Sequence, residues 1–251
     1  MKRLASHRDG LTQIGIVLAA VGAYEAMRLA LRPDWALALA HAHEIAALER
    51  VAHVGWELPL QRELLHEPAL IEAMNVFYLA AHFLVTGLFF VWLYRRSRAG
   101  FLLFRNGFML ATAIAFTVAW LFPTAPPRVA GLGLVDTLRH FSDIDIGSPG
   151  SGGLSDPVAA VPSLHAGWAV GVAAGLVIYA QPRAVRIAAV LYPAAVILTI
   201  LATGNHFVLD ALAGVAVMAL GFGLAALPGR FRVVPSRSRR GVEQSGSSPG
   251  S

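Results

Sequence analysis

Pro162-Ser163-Leu164-His165-Ala166-Gly167 and Gly204-Asn205-His206-Phe207-Val208-Leu209-Asp210 each stand where polar sequence meets a long apolar run. Ionisable side chains are costly at the edge of a membrane span, so their presence at two such edges points to a function. His206 and Asp210 are four residues apart, a spacing that on a helix puts them on one face, where the carboxylate can orient the imidazole. Outward from these segments the chain is 56% hydrophobic and 14% charged, with a mean hydropathy of +0.61. A soluble domain carries roughly 25% charged residues, so the composition is that of an integral membrane protein. The chain contains no cysteine, which excludes disulfides, thiolate catalysis and Cys-ligated zinc.

Hydropathy predicts an all-α integral membrane protein, a bundle of six transmembrane helices over 11–31, 70–94, 106–122, 163–180, 184–203 and 206–227, each near the roughly 20 residues that cross a bilayer core. Positive charge falls between them in four groups. Lys2, Arg3 and Arg8 precede the first span, and Arg95, Arg96, Arg98 and Arg105 follow the second. Arg183 and Arg186 follow the fourth, and Arg230, Arg232, Arg237, Arg239 and Arg240 follow the sixth. Span parity puts all four groups on one side, which is therefore cytoplasmic. The protein is expected in the cell membrane with both termini cytoplasmic and with the two opening segments together at the extracytoplasmic face. The net charge of +5 reads as these orientation signals rather than as nucleic-acid contacts. Val21-Gly22-Ala23 after an apolar core resembles a cleavage site, but apolar character continues to Leu31 and favours a retained span. The chain divides into a tail and first span over 1–35, a membrane domain over 36–228, and a basic, then disordered, tail over 229–251.

Two outer loops carry further signals. In 32–69, Ile45, Leu48, Val51 and Ala52 recur at helical spacing among Glu44, Glu49 and Arg50, which predicts extracytoplasmic amphipathic helices lying on the surface. His41 and His43, two apart, do not converge on a metal and are assigned to the surface. Glu25 and Arg28 read as a neutralised pair in the first span. In 123–162, Gly147-Ser148-Pro149-Gly150-Ser151-Gly152-Gly153 predicts a mobile cover over the outer face.

The chemistry follows from the segments themselves. Pro162-Ser163 sets a helix N-terminus, whose unpaired amides, beginning at Leu164, and whose dipole attract an anion such as phosphate. Gly167, beside Ala166, keeps the first turn small enough for a bulky headgroup. Phe122-Pro123-Thr124-Ala125-Pro126-Pro127-Arg128 ends the third span on the same face, its prolines stiffening the backbone behind a guanidinium suited to two-pronged phosphate binding. These parts suffice for phosphoryl transfer: His206 attacks phosphorus, His165 protonates the leaving oxygen, and Asp210 holds the His206 tautomer. Neither a metal nor another cofactor is needed.

The chain resembles the type 2 phosphatidic acid phosphatase superfamily, and within it the branch similar to inositol phosphorylceramide synthases. The resemblance rests on Phe122 to Arg128, on Ala160-Val161-Pro162-Ser163-Leu164-His165-Ala166-Gly167-Trp168, and on Thr203-Gly204-Asn205-His206 with Asp210 and Gly214. It covers about residues 36–225, with Asn75, Tyr78 and His82 also similar to that branch. It implies a membrane enzyme acting on a phospholipid, with His206 as nucleophile, Asp210 as its partner and His165 as acid. Arg128, Ser163, Leu164 and Asn205 would hold the phosphate, Tyr78 and His82 would line a headgroup pocket, and a polyol or alcohol would accept the phosphoryl group. The bilayer is a partner and nucleic acid is not.

The wider superfamily carries a lysine seven residues before Arg128 and an arginine six before His206, where this chain has Leu121 and Ile200. The two missing cations suit a singly charged phosphodiester, or a pocket that borrows a cation elsewhere, better than a dianionic monoester. A plain lipid phosphate phosphatase, with water as acceptor, is the alternative. A metal-dependent hydrolase using His165, His206 and Asp210 as a facial ligand set, and a transporter using them as a proton relay, are the rivals from other classes. The competing structural readings make His206–Asp210 a hydrogen bond closing a helix end, His165 a cap, and Tyr78–His82 a packing contact between spans.

Overall fold

The computed structural model describes residues 34–142 and 158–227, with scattered positions between 9 and 22. The predicted first span for most of its length, the Glu25–Arg28 pair, the glycine-rich cover and the polar tail lie outside the described residues. The helices are α1 (Trp35–Ala52), α2 (Glu57–Leu64), α3 (Pro68–Arg96), α4 (Arg98–Leu121), α5 (Thr137–Ser142), α6 (Leu164–Tyr179), α7 (Arg183–Ala202) and α8 (Val208–Ala226). Among the described residues there is no strand, only a parallel bridge between Thr124 and Ala159.

Local chemistry sets most of the helix starts. Asp34 accepts the Leu37 amide, Ser97 the Gly100 amide and Ser163 the Ala166 amide, while Pro68 opens α3. The Ser97 cap starts α4 at Arg98, well before the predicted 106, so Arg98 and Arg105 lie within a helix rather than in a loop. Arg98 pairs with Asp9 at 2.6 Å, and Arg105 bonds the Gln13 and Asn106 side chains.

Small residues set how the long helices pack. Added Cβ atoms on Gly167 and Gly171 would meet Gly214 and Met218, so α6 runs parallel to α8. Gly171 lies under Phe108, Gly175 touches Phe104, and Trp168 Nε1 donates to Thr112 Oγ1 at 3.1 Å, so α4 runs antiparallel to α6. Glycines facing phenyl rings let the helices approach closely. The resulting core holds Phe89, Phe101, Phe104, Phe108, Val172 and Met218. Helices α4, α7 and α8 are long and apolar enough to cross a membrane, and α3, bent by 45° between Ala80 and His82, makes a fourth if counted as one span. At 16 residues α6 is about 24 Å long, short of the roughly 30 Å of a bilayer core.

The end of this bundle away from the Arg95–Arg98 corner is closed by α1, α2, α5 and the loop between α4 and α5. The inward face of α1 is Ala38, Ala42, Ile45 and Glu49, whereas Leu48 and Val51 of the predicted apolar stripe are 57% and 79% exposed. His43 is exposed, but His41 is not simply a surface residue: its ring stacks on Phe122 at 3.8 Å and Nδ1 donates to the Pro123 carbonyl at 2.7 Å. Asn75 of α3 fixes α5, donating to the Thr137 carbonyl at 2.9 Å while its oxygen accepts from Thr137 Oγ1 at 2.9 Å. Gln61 of α2 donates to the carbonyls of Val135 and Ala202 at 3.0 and 3.2 Å and accepts the Val135 amide at 2.7 Å.

Candidate active site

Peptide groups tie the three sequence motifs into one frame. The Thr124 amide donates to Val158 O at 2.6 Å and Ala160 returns a bond to Thr124 O at 3.0 Å. The Arg128 amide donates to Gly204 O, and the Ser163 amide to Asp210 O, both at 2.9 Å. Gly204 has φ of +67°, a left-handed turn that glycine takes without penalty, and an added Cβ would lie 3.2 Å from Arg128 Cβ. Helices α6 and α8 thus start side by side, with the short turn Pro127–Val129 bonded to Gly204 in the loop before α8.

His206 does not belong to α8; it sits in the turn just before the helix, so the predicted one-face spacing with Asp210 is not what joins them. Its Nδ1 donates to the Ala160 carbonyl at 2.9 Å and lies 3.4 Å from Asp210 Oδ2. A carbonyl only accepts, so Nδ1 carries the proton and Nε2 keeps the lone pair. Asp210 Oδ2 itself accepts the Phe207 amide at 2.8 Å, the helix-closing bond weighed against a catalytic pairing; the buried residue makes both contacts. Burial lowers the imidazole of His206 to about 4, against the Ala160 carbonyl, which raises it, while Arg128 adds to the lowering. A neutral imidazole at pH 7 is the nucleophilic form.

His165, second residue of α6, lies 5.5 Å from His206 between ring centroids. Tyr78 and His82 of α3 reach it, each with a centroid distance of 4.4 Å, and His82 stacks on Trp168 at 4.7 Å. The Tyr78, His82 and His165 rings line a cavity of about 10 Å³ with Phe77, Val196, Thr199 and Ile200. Ile200, where the superfamily arginine is expected, is therefore in the cavity wall, whereas Leu121 is 69% exposed. Arg128 is buried, with Nε 3.4 Å from Asp136 Oδ1. Ser163 Oγ accepts the Ala166 amide at 3.4 Å, which leaves its hydroxyl proton to donate, and Leu164 opens the helix. Asn205 is largely engaged within the turn, its amide on Ile200 O at 3.0 Å and its Nδ2 on Thr203 Oγ1 at 2.7 Å. Among the described residues, no three His, Asp or Glu side chains converge as a metal ligand set.

Two site residues lie where the sequence points to a solvated surface helix and a loop. Glu49 and Glu57 are 1% and 5% exposed, and their Oε1 atoms accept the Leu209 and Val208 amides at 2.8 and 2.7 Å. Asp136 beside Arg128 is a third that no local pattern singles out. Burial raises the Glu49 carboxyl from its ordinary 4.5 to about 8, against the Leu209 amide, which lowers it, and the Glu57 and Asp210 carboxylates raise it further. Folding then takes up a proton at Glu49. That contribution is fully present below pH 4.5 and is lost as pH rises through about 8. Glu49→Gln, which stays neutral, should therefore melt progressively higher than the parent as pH goes from 5 to 9, measured by thermal unfolding in detergent; parallel curves would refute the raised value.

No curated protein and no solved structure matches the chain. Sequence profiles of protein families do find a match: the PAP2 superfamily over residues 43–224, a stretch that holds every residue of this site, and the chain belongs to that superfamily.

Proposed function

We propose that this protein is a lipid phosphotransferase similar to inositol phosphorylceramide synthases, working through a phosphohistidine at the extracytoplasmic face of a six-span bundle. Superfamily membership supports phosphatase or phosphotransferase activity on a lipid or another phosphate ester. The observation that carries the reading is the meeting of His206, its Nδ1 tethered to Ala160, with His165 at 5.5 Å.

In the first half-reaction His206 Nε2 attacks phosphorus in line. The N–P bond forms as the P–O bond to the leaving group breaks, and His165 passes its proton to the departing oxygen. Arg128, the Ser163 hydroxyl and the Leu164 amide meet the phosphate oxygens. In the second half an alcohol or water attacks the phosphohistidine, His165 takes its proton, and His206 is freed. Asp210 stabilises the imidazolium charge that the N–P bond creates. Tyr78 and His82, packed against His165, would line the headgroup pocket. The exposure of Leu121 and the presence of Ile200 in the wall leave Arg128 as the arginine of the three motifs, which suits a substrate with one negative charge.

The arginines of Arg95–Arg98 and Arg183–Arg186 gather at the opposite end from the site, and Asp9 joins them through Arg98; this supports cytoplasmic termini and an outer site. The test is incubation of the purified protein with phosphatidic acid or with a phosphodiester lipid, with and without inositol or glycerol, reading products by mass spectrometry. Phosphoryl transfer to the polyol from the diester is the expected result. Release of inorganic phosphate from phosphatidic acid, unaffected by either polyol, would make the protein a plain lipid phosphate phosphatase.

A further inference from the structure

We propose that Glu49 and Glu57 are positioning residues for His206, fixing the turn that presents its imidazole; the proposal rests on the nucleophile reading above. Three consecutive amides follow His206, and each is taken by a carboxylate from a different element. Asp210 Oδ2 accepts Phe207 at 2.8 Å, Glu57 Oε1 accepts Val208 at 2.7 Å, and Glu49 Oε1 accepts Leu209 at 2.8 Å. Glu49 and Glu57 come from α1 and α2, so the closing layer grips the nucleophile's turn directly.

A helix start alone does not require this. At a solvated start one short polar side chain at the N-cap takes one amide and water takes the rest, whereas here the N-cap is Phe207 and the acceptors are buried carboxyl groups whose desolvation is costly. Their placement also divides the two helix starts between two tasks. The amides at the start of α8 are filled by the protein's own carboxyl oxygens, so that start does not compete for phosphate. At the start of α6 Ser163 caps Ala166, and the amides of Leu164 and His165 have no acceptor within the helix. Phosphate is thereby drawn toward α6, with the His206 ring held to one side of it.

The experiment compares Glu49→Ala, Glu57→Ala, Glu49→Gln and Glu57→Gln in the full chain, purified in detergent. Turnover in mixed micelles of a phosphodiester lipid with inositol and of phosphatidic acid, whichever the wild type uses, gives kcat and KM, and thermal unfolding gives stability. The alanine variants should lower kcat by roughly 10- to 100-fold with KM within about twofold, the signature of a misplaced reacting group. The glutamine variants keep an acceptor oxygen and should retain kcat. Phe101→Ala, in the core at the far end, should lower stability without lowering kcat. If an alanine variant does not fold, Glu49→Asp and Glu57→Asp, which withdraw the carboxylate by one methylene, should show the same loss of kcat. Wild-type kcat in the folded Ala or Asp variants overturns the proposal, as does an equal loss in the Gln variants or in Phe101→Ala. Full turnover by His206→Ala in the same assay would instead remove the nucleophile reading and this proposal with it; an inactive His206→Ala beside unaffected glutamate variants would remove the positioning role alone.

Discussion

His206→Ala lowers turnover by roughly 10⁴-fold or more while the protein still folds, the scale of loss when a covalent nucleophile is deleted. The imidazole contributes one side-chain hydrogen bond, to Ala160, and its removal leaves the three motifs joined through their peptide groups. Wild-type protein quenched in mid-turnover with labelled substrate should carry an acid-labile, base-stable phosphoryl adduct, and the variant none. A variant that turned over at even a tenth of the parental rate would exclude the phosphohistidine path.

Gly214→Ala destroys the fold of the site. A Cβ there would lie 2.0 Å from the Ser163 carbonyl oxygen and 2.8 Å from its carbon, both backbone atoms that no rotamer change can move. Helices α6 and α8 would have to part, costing about 3 kcal/mol or more, and the Ser163–Asp210 backbone bond would go with them. Gly223→Ala on the same helix, where an added Cβ meets nothing within 4 Å, is the control and should raise stability by up to about 1 kcal/mol. Thermal unfolding and the monodisperse fraction on gel filtration give both values; equal behaviour of the two variants would contradict the close approach of α6 to α8.

What the sequence made legible here was whatever is local. The Pro162-Ser163 start of α6, the apolar runs, and the gathering of Arg128, His165 and His206 at one end follow from short-range chemistry and span parity. The start of α4 was equally legible in Ser97, but hydropathy outweighs one capping residue and displaces the boundary past Arg105. The join between His206 and Asp210 was read through helical spacing, yet the helix begins at Val208. Its first amides find their acceptors in Glu57 and Glu49, 151 and 160 residues away, and no window of sequence contains both ends of such a bond. For the same reason Glu49 looks like the wet face of an amphipathic helix until α8 is laid against it. The run at 163–180, by contrast, is helical almost from end to end, as Leu164–Tyr179.

The backbone hydrogen bonds that join Thr124 to Val158 and Ala160, Arg128 to Gly204 and Ser163 to Asp210 are indifferent to side-chain identity. A scaffold held in that way separates heredity of shape from heredity of chemistry. Substitutions at Leu121, Ile200, Tyr78 or His82 touch no bond of the frame, so if these residues set charge and headgroup fit as proposed, a lineage can exchange one phosphate ester for another by single steps, each passing through a folded protein. Leucine at 121 and isoleucine at 200 are the kind of residues such a frame permits.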